Sequence, residues 1–166
     1  MNTRYGAKAA MRAQASMMNS GQTAHRFEYV LRGNMSILAV DDDPIQREFC
    51  SVYLATPTVD VETADCAEAG LEMLERKTYA AALVDVDMPG MNGIEMVTRL
   101  RADPRFDALP IMVVTGREDM LSIDQAFEAG ATAFMCKPVN WRLLAHQIRF
   151  MIRAHRALIG NGARND

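Results

Sequence analysis

Apolar residues gather in five short runs, and stretches of helical spacing separate them. Ser36-Ile37-Leu38-Ala39-Val40 is the first run, and it stops at Asp41-Asp42-Asp43-Pro44. Val59 to Thr63 alternates apolar and polar residues, as a half-buried strand does. Ala81-Ala82-Leu83-Val84 is apolar throughout and ends in Asp85. Leu109 to Val114 leads to Thr115 and Gly116, and Ala131 to Cys136 leads to Lys137-Pro138. Each run is short and bounded by turn residues, which predicts five strands.

The intervening segments read as helices. Ile45, Phe49, Val52 and Tyr53 recur at helical spacing, with Asp43 as a cap and Pro44 at the first helical position. Asp65 and Glu68 have the spacing of a capping box, ahead of a second helix through Leu71 and Leu74. Asn92 to Ala102 is a third, with Ile94, Val97 and Leu100 inward and Pro104 as its stop. Asp119 to Ala129 is a fourth, ended by Gly130. Asn140 caps a fifth helix running to about His155 or beyond. On it, Leu144, Ile148, Met151, His155 and Leu158 share one stripe, a spacing that serves either a core face or a short dimer seam. Strands alternating with helices predict right-handed crossovers and an α/β fold, a parallel sheet with helices on both faces.

Composition fits one globular domain with tails: 166 residues, 49% hydrophobic and 23% charged. Residues 1–34 carry Arg4, Lys8, Arg12, Arg26 and Arg32 against the single acid Glu28, and show no steady period. They are expected to be a disordered N-terminal extension, with the folded domain at 35–156 and a flexible tail at 157–166. The net charge is −3 and the basic excess lies in the extension, so the domain itself is acidic. That argues against direct nucleic-acid binding. No apolar stretch is long enough to predict a membrane span. Cys50, Cys66 and Cys136 are odd in number and lack a CxxC spacing, which suggests reduced thiols and a cytoplasmic protein.

The chemistry lies at the ends of the predicted strands. On local sequence alone, Asp85 fits either a turn-capping carboxylate or a strand-end active site. A parallel sheet, however, points all its strand ends the same way. Asp41, Asp42 and Asp85 then converge, and such carboxylates repel unless a cation sits among them. Oxygen ligands select a hard ion such as Mg2+. Lys137 adds a positive charge for an anion and Thr115 a hydroxyl donor. A metal, a lysine, a hydroxyl and a carboxylate nucleophile form a phosphoryl-transfer site.

The chain from about Met35 to His155 resembles the receiver domain of two-component response regulators, the CheY-like family. The resemblance rests on Val40-Asp41-Asp42-Asp43-Pro44, on Asp85-Val86-Asp87-Met88-Pro89-Gly90-Met91-Asn92-Gly93, on Val114-Thr115-Gly116 and on Lys137-Pro138. It implies a flavodoxin-like, doubly wound sheet of five strands in the order 2-1-3-4-5 with five helices. It implies a phosphoacceptor signalling module rather than an enzyme, phosphorylated on Asp85 by a histidine kinase or phosphotransfer protein and acting on a downstream protein. Asp41, Asp42, Asp85 and the backbone carbonyl of Asp87 are the implied Mg2+ ligands. Lys137 is implied to neutralise a phosphoryl oxygen, and Thr115 and Phe134 to switch the face of the fourth helix, fifth strand and fifth helix. A homodimer through the fourth and fifth helices is a further expectation.

Two positions depart from the family pattern. Gly116 stands where Ala is common, which is expected to loosen its loop, and Phe134 lacks the hydroxyl of the frequent Tyr. Asp87 and Arg117 are expected to face each other across the site mouth and to modulate phosphoryl lifetime. Two other readings compete with a stand-alone receiver. One is a receiver piece of a multidomain regulator, for example with a diguanylate cyclase output. The other is a haloacid-dehalogenase-type phosphatase, whose Asp-x-Asp belongs on a first strand whereas Asp85-Val86-Asp87 falls on the third.

Overall fold

The structure is a computed structural model that describes residues 34–117 and 119–162. Residues 1–33 and 163–166, and with them most of the expected extension and the end of the tail, lie outside the described residues. The strands are β1 (Met35–Val40), β2 (Val59–Ala64), β3 (Ala81–Asp85), β4 (Ile111–Thr115) and β5 (Ala133–Cys136). The helices are α1 (Pro44–Leu54), α2 (Ala67–Arg76), α3 (Gly93–Arg101), α4 (Met120–Glu128) and α5 (Trp141–Gly162). A 3-10 turn at Pro104–Phe106 follows α3. The five strands form one parallel sheet in the order β2-β1-β3-β4-β5, the architecture expected.

Side chains alternate across a strand, so each buried strand feeds two cores. Ile37, Ala39, Ala81, Leu83, Met112 and Val114 face a core that includes Cys50 and Leu54 of α1 and Leu144, Ile148, Met151 and Ile152 of α5. Leu38, Val40, Ala82, Val84, Ile111 and Val113 face the opposite one, with Leu74 of α2, Met96, Val97 and Leu100 of α3, and Ala126 of α4. Ile94 and Phe134 are half-buried against this second core.

Most helix starts follow the predicted chemistry. Asp43 accepts from the Ile45 N–H at 2.8 Å, and Asp119 from the Ser122 N–H at 2.9 Å. Asn92 and Glu95 complete a reciprocal capping box on α3, and Asn140 accepts from the Leu143 N–H at 3.1 Å. Gly130 ends α4 at φ +100°.

Three expectations are corrected. No capping box forms at Asp65 and Glu68, because β2 continues to Ala64 and the α2 cap falls on Cys66, which has no side-chain cap bond. The apolar stripe of α1 faces outward: Ile45, Phe49 and Tyr53 are exposed, while Cys50 and Leu54 are buried. Phe49 and Tyr53 are covered in part by Trp141 of α5, with ring centroids 5.2 and 5.9 Å away. In the α5 stripe Leu144, Ile148 and Met151 are buried against the sheet, whereas Leu158 is exposed. Finally, α5 passes the expected boundary at 156 and runs to Gly162. An established helix gains a hydrogen bond with each added residue, and no proline interrupts Arg156-Ala157-Leu158.

Candidate phosphoryl-transfer site

Strand order decides where a ligand can sit. From β1 the chain crosses outward to β2, then returns past β1 to β3, so the β1–β3 boundary is the switch point of the sheet. Open α/β sheets bind ligands at the carboxyl ends of such strands. Val40 pairs with Val84, so Asp41 and Asp85 come level one residue further along. Asp85 pairs with Val114 and Thr115 with Cys136, which brings Thr115 and Lys137 to the same end. The ladder continues past the strands: the Asp41 N–H donates to Ala64 O at 3.1 Å, and the Lys137 N–H to Thr115 O at 2.7 Å. Backbone pairing thus aims these side chains before any ligand is present.

Carboxylate oxygens of Asp41, Asp42 and Asp85 lie within 4.8 Å of one another. Asp41 and Asp85 are buried and Asp42 is exposed. At such separations two charged carboxylates repel by on the order of 3 kcal/mol at an effective dielectric constant of about 20. Lys137 relieves part of this. Its Nζ lies 2.9 Å from Asp85 Oδ1 and 3.4 Å from Asp41 Oδ2. The contact with Asp85 Oδ1 is an ion pair without hydrogen-bond alignment, so that buried oxygen still lacks a hydrogen-bond donor among the described residues.

Ionisation reflects the same crowding. Burial raises Asp85 above the usual carboxylate range, and Asp41 and Asp87 add to the rise while Lys137 opposes it. Burial also raises Asp41, against the Asp43 N–H and Lys137. For Lys137 burial acts downward, but the pairs with Asp85 and Asp41 win and hold the ammonium above its ordinary value. An all-oxygen, acidic, partly open donor set of this kind fits a hard divalent cation with retained waters. Asp41, Asp42 and Asp85 are the residues that can hold it.

The mouth has a second centre. Asp87 Oδ2 accepts from the Thr115 hydroxyl at 3.2 Å and the Gly116 N–H at 3.3 Å. Asp87 Oδ1 faces Arg117 Nε at 3.7 Å, so this pair meets as expected. Thr115 is buried, and its hydroxyl oxygen also accepts from the Arg117 N–H at 3.1 Å. A Cβ at Gly116 would meet only Asp87 Oδ2, at 3.9 Å, so glycine is not sterically required there.

Two structural contributors escape a reading of the sequence. Arg47 reaches from α1 and donates to the carbonyls of Asp41 at 2.7 Å and Asp42 at 2.9 Å, fixing the acidic loop. Gly93 lets α3 start against β3: a Cβ there would stand 2.2 Å from the Asp85 carbonyl oxygen. Helical position could have pointed to Arg47 as a residue one or two turns behind the acidic loop, but nothing local signals Gly93's role.

The comparisons with known proteins agree with this geometry. A family model described as the response regulator receiver domain matches residues 37–149. A cyclic di-GMP phosphodiesterase of Thermotoga maritima is 38% identical over 119 residues, covering 72% of this chain and 31% of that protein. The heme response regulator HssR of Staphylococcus aureus is 31% identical over 118 residues, covering 71% of this chain and 51% of its own. The chain thus spans about a third to a half of these curated relatives. Among solved structures, a CheY-like receiver domain protein of Methanospirillum hungatei is 28% identical with a TM-score of 0.69, covering 75% of this chain and 98% of that one. Chemotaxis protein CheY4 of Vibrio cholerae is 27% identical with a TM-score of 0.68, covering 72% and 99%. With its sheet order, its strand-end residues and a family match over most of its length, the chain belongs to the response regulator receiver family.

Proposed function

We propose that this receiver accepts a phosphoryl group on Asp85 from the phosphohistidine of a sensor histidine kinase or phosphotransfer protein, in a Mg2+-dependent reaction. The observation that carries the reading is the buried Asp85 carboxylate at the switch point, paired to a lysine that it shares with Asp41. A carboxylate oxygen of Asp85 attacks phosphorus. The new P–O bond forms as the P–N bond to the donor imidazole breaks, and the imidazole leaves with the electron pair. When bound, Mg2+ supplies charge neutralisation to the transferring oxygens. Asp41, Asp42, Asp85 and the backbone carbonyl of Asp87 hold it. Lys137 stabilises a phosphoryl oxygen, Thr115 donates its hydroxyl to the product, and Phe134 follows Thr115 inward. Asp87 and Arg117 limit water access and so set the lifetime of the aspartyl phosphate.

The readout is the face made by α4, β5 and α5, through a downstream protein or a homodimer. In support, α4 exposes Met120, Leu121 and Phe127, and α5 exposes Leu143, Phe150 and Leu158. The reading includes a cytoplasmic location, where the thiols of Cys50, Cys66 and Cys136 remain reduced. A second reading, a receiver piece of a multidomain regulator, is favoured by the greater length of both curated relatives. The two share one site and one test. Full-length protein is incubated with acetyl phosphate and Mg2+, and its intact mass is followed. Wild type is expected to gain one phosphoryl group, and Asp85→Asn none. Continuous turnover of varied phosphomonoesters would support the haloacid-dehalogenase-type phosphatase instead.

A further inference from the structure

Asp87 holds the β4–α4 loop by its polar groups. Its Oδ2 takes the Thr115 hydroxyl and the Gly116 N–H together, at 3.2 and 3.3 Å. Its Oδ1 faces Arg117 Nε at 3.7 Å, and the Arg117 N–H closes the set by donating to Thr115 Oγ1 at 3.1 Å. A threonine hydroxyl has one proton to donate. While Asp87 accepts it, no oxygen carried on Asp85 can. Asp87 therefore stands where an incoming oxyanion would compete, and its carboxylate is itself an oxyanion that draws on the donors at the end of β4.

We propose that Asp87 is a built-in latch: an internal hydrogen-bond acceptor that occupies the Thr115 hydroxyl and Gly116 N–H and biases the β4–α4 loop towards its resting arrangement. The proposal rests on Asp85 as the phosphoacceptor and adds a term to its switch. A ligand shifts a two-state loop only by its differential affinity for the two states. An oxyanion on Asp85 must first release Thr115 from Asp87, so the latch subtracts from the affinity of the site for any phosphoryl-shaped group. Asp87 is not a partner in the bonds that hold the acidic loop and Lys137, and its charge reaches the pocket only through space, at Asp85.

The test uses fluoroberyllate with Mg2+ as the probe, on full-length wild type, Asp87→Ala and Asp87→Asn, with Asp85→Asn as a blank. Bound fluoride is counted by 19F NMR, and amide hydrogen exchange at Gly116 and Arg117 is measured separately without metal or fluoride. Asp87→Ala removes the acceptor and is expected to bind the probe about tenfold more tightly. Asp87→Asn removes the charge but keeps a carbonyl oxygen for the same donors. It is expected to stay within about threefold of wild type, because the mouth is solvent-exposed and screens charge. Exchange at Gly116 and Arg117 is expected to quicken about tenfold in Asp87→Ala and to change little in Asp87→Asn. Equal tightening in both variants would reduce Asp87 to a charge effect and overturn the latch, as would unchanged affinity and exchange in Asp87→Ala. Failure of wild type to take up the probe would refute the phosphoacceptor reading, and hydrogen exchange alone would then decide whether Asp87 holds the loop.

Discussion

Gly93→Ala adds one methyl group where the structure leaves no space. The new Cβ would lie 2.2 Å from the Asp85 carbonyl oxygen and 2.9 Å from both the Asp85 carbonyl carbon and Val86 Cα. Ordinary contact begins near 3.4 Å, so one side must retreat by about 1 Å. All three obstacles are backbone, and no rotamer change relieves them. The strand side is also tied: Asp85 pairs with Val114, and the Val86 N–H donates to Val114 O at 2.9 Å. On the helix side the Gly93 N–H donates to Val86 O at 3.1 Å, so retreat of α3 breaks that bond.

Overpacking of this kind costs about 1–3 kcal/mol. The better helix propensity of alanine returns up to about 1 kcal/mol, which with the full return leaves a net loss of about 0–2 kcal/mol. The larger effect falls on chemistry, because a shift of about 1 Å in a reacting group can cost about a hundredfold in rate. Urea unfolding followed by circular dichroism measures the first, and the initial rate of acetyl phosphate uptake with Mg2+ measures the second. Gly90→Ala is the comparison. Gly90 sits at φ +75° with nothing near its absent Cβ, so alanine there brings about 1 kcal/mol of backbone strain and leaves Asp85 in place. A Gly93→Ala protein with wild-type midpoint and rate would refute the close-approach argument. A Gly90→Ala protein slowed as much as Gly93→Ala would show that any loop change has this effect.

Two further outcomes follow from charge and hydrogen bonding. Asp85 and Asp41 titrate above the ordinary carboxylate value of 3.8 because burial penalises their charged forms. Protons therefore compete for the site above that pH, and Mg2+ affinity, measured by calorimetry, is expected to weaken as pH falls through the raised values. In metal-free protein the sign reverses: their contribution to stability is fully present below 3.8 and is lost as pH rises through the raised values. Wild type is then expected to lose thermal stability relative to Asp85→Asn as pH climbs, and a constant difference would refute the assignment. Arg101→Ala removes donors to the carbonyls of Gly130, Phe106 and Leu109 at 2.9, 2.6 and 2.8 Å. It is expected to cost about 2 kcal/mol in urea unfolding, with Arg101→Lys unable to reach all three; a loss below about 0.5 kcal/mol would contradict this.

The strand ends were readable because a buried parallel strand is apolar until it emerges, and the first polar residue marks the exit. Asp41, Asp85, Thr115 and Lys137 were found that way. Periodicity did less well with helices, since it shows that a face exists but not which way the face turns. Ile45, Phe49 and Tyr53 have the spacing of a core stripe yet lie outward, Phe49 and Tyr53 against Trp141, a residue distant in sequence. The α5 stripe raised the opposite difficulty, as seam and core need the same spacing and only the sheet beneath it assigns Leu144, Ile148 and Met151 to the core. Asp65 misled because the end of β2, and with it the cap position, depends on pairing with β1. Asp87 was legible as a residue at the mouth, but not as the acceptor for Thr115 and Gly116. That bond depends on how β3 and β4 align, and no local pattern encodes register between separate strands.

Charge balance connects the acidic pocket to the mouth. Lys137 offsets one of the three carboxylates, and a single divalent cation would offset the other two. The pocket would then be neutral, with nothing in it to pull on Thr115. On the proposed function, esterification of Asp85 by a phosphoryl dianion would replace one negative charge by two, with the excess next to the end of β4. The Thr115 hydroxyl is an uncharged donor at that strand end, and its proton is given to Asp87. On the proposed function, phosphorylation would therefore create a demand for a group that the mouth has already committed. If the latch holds, the strength of that commitment, set by Asp87 and tempered by Arg117, would fix how much of the phosphoryl group's binding energy remains to move β4–α4 and with it the outer face.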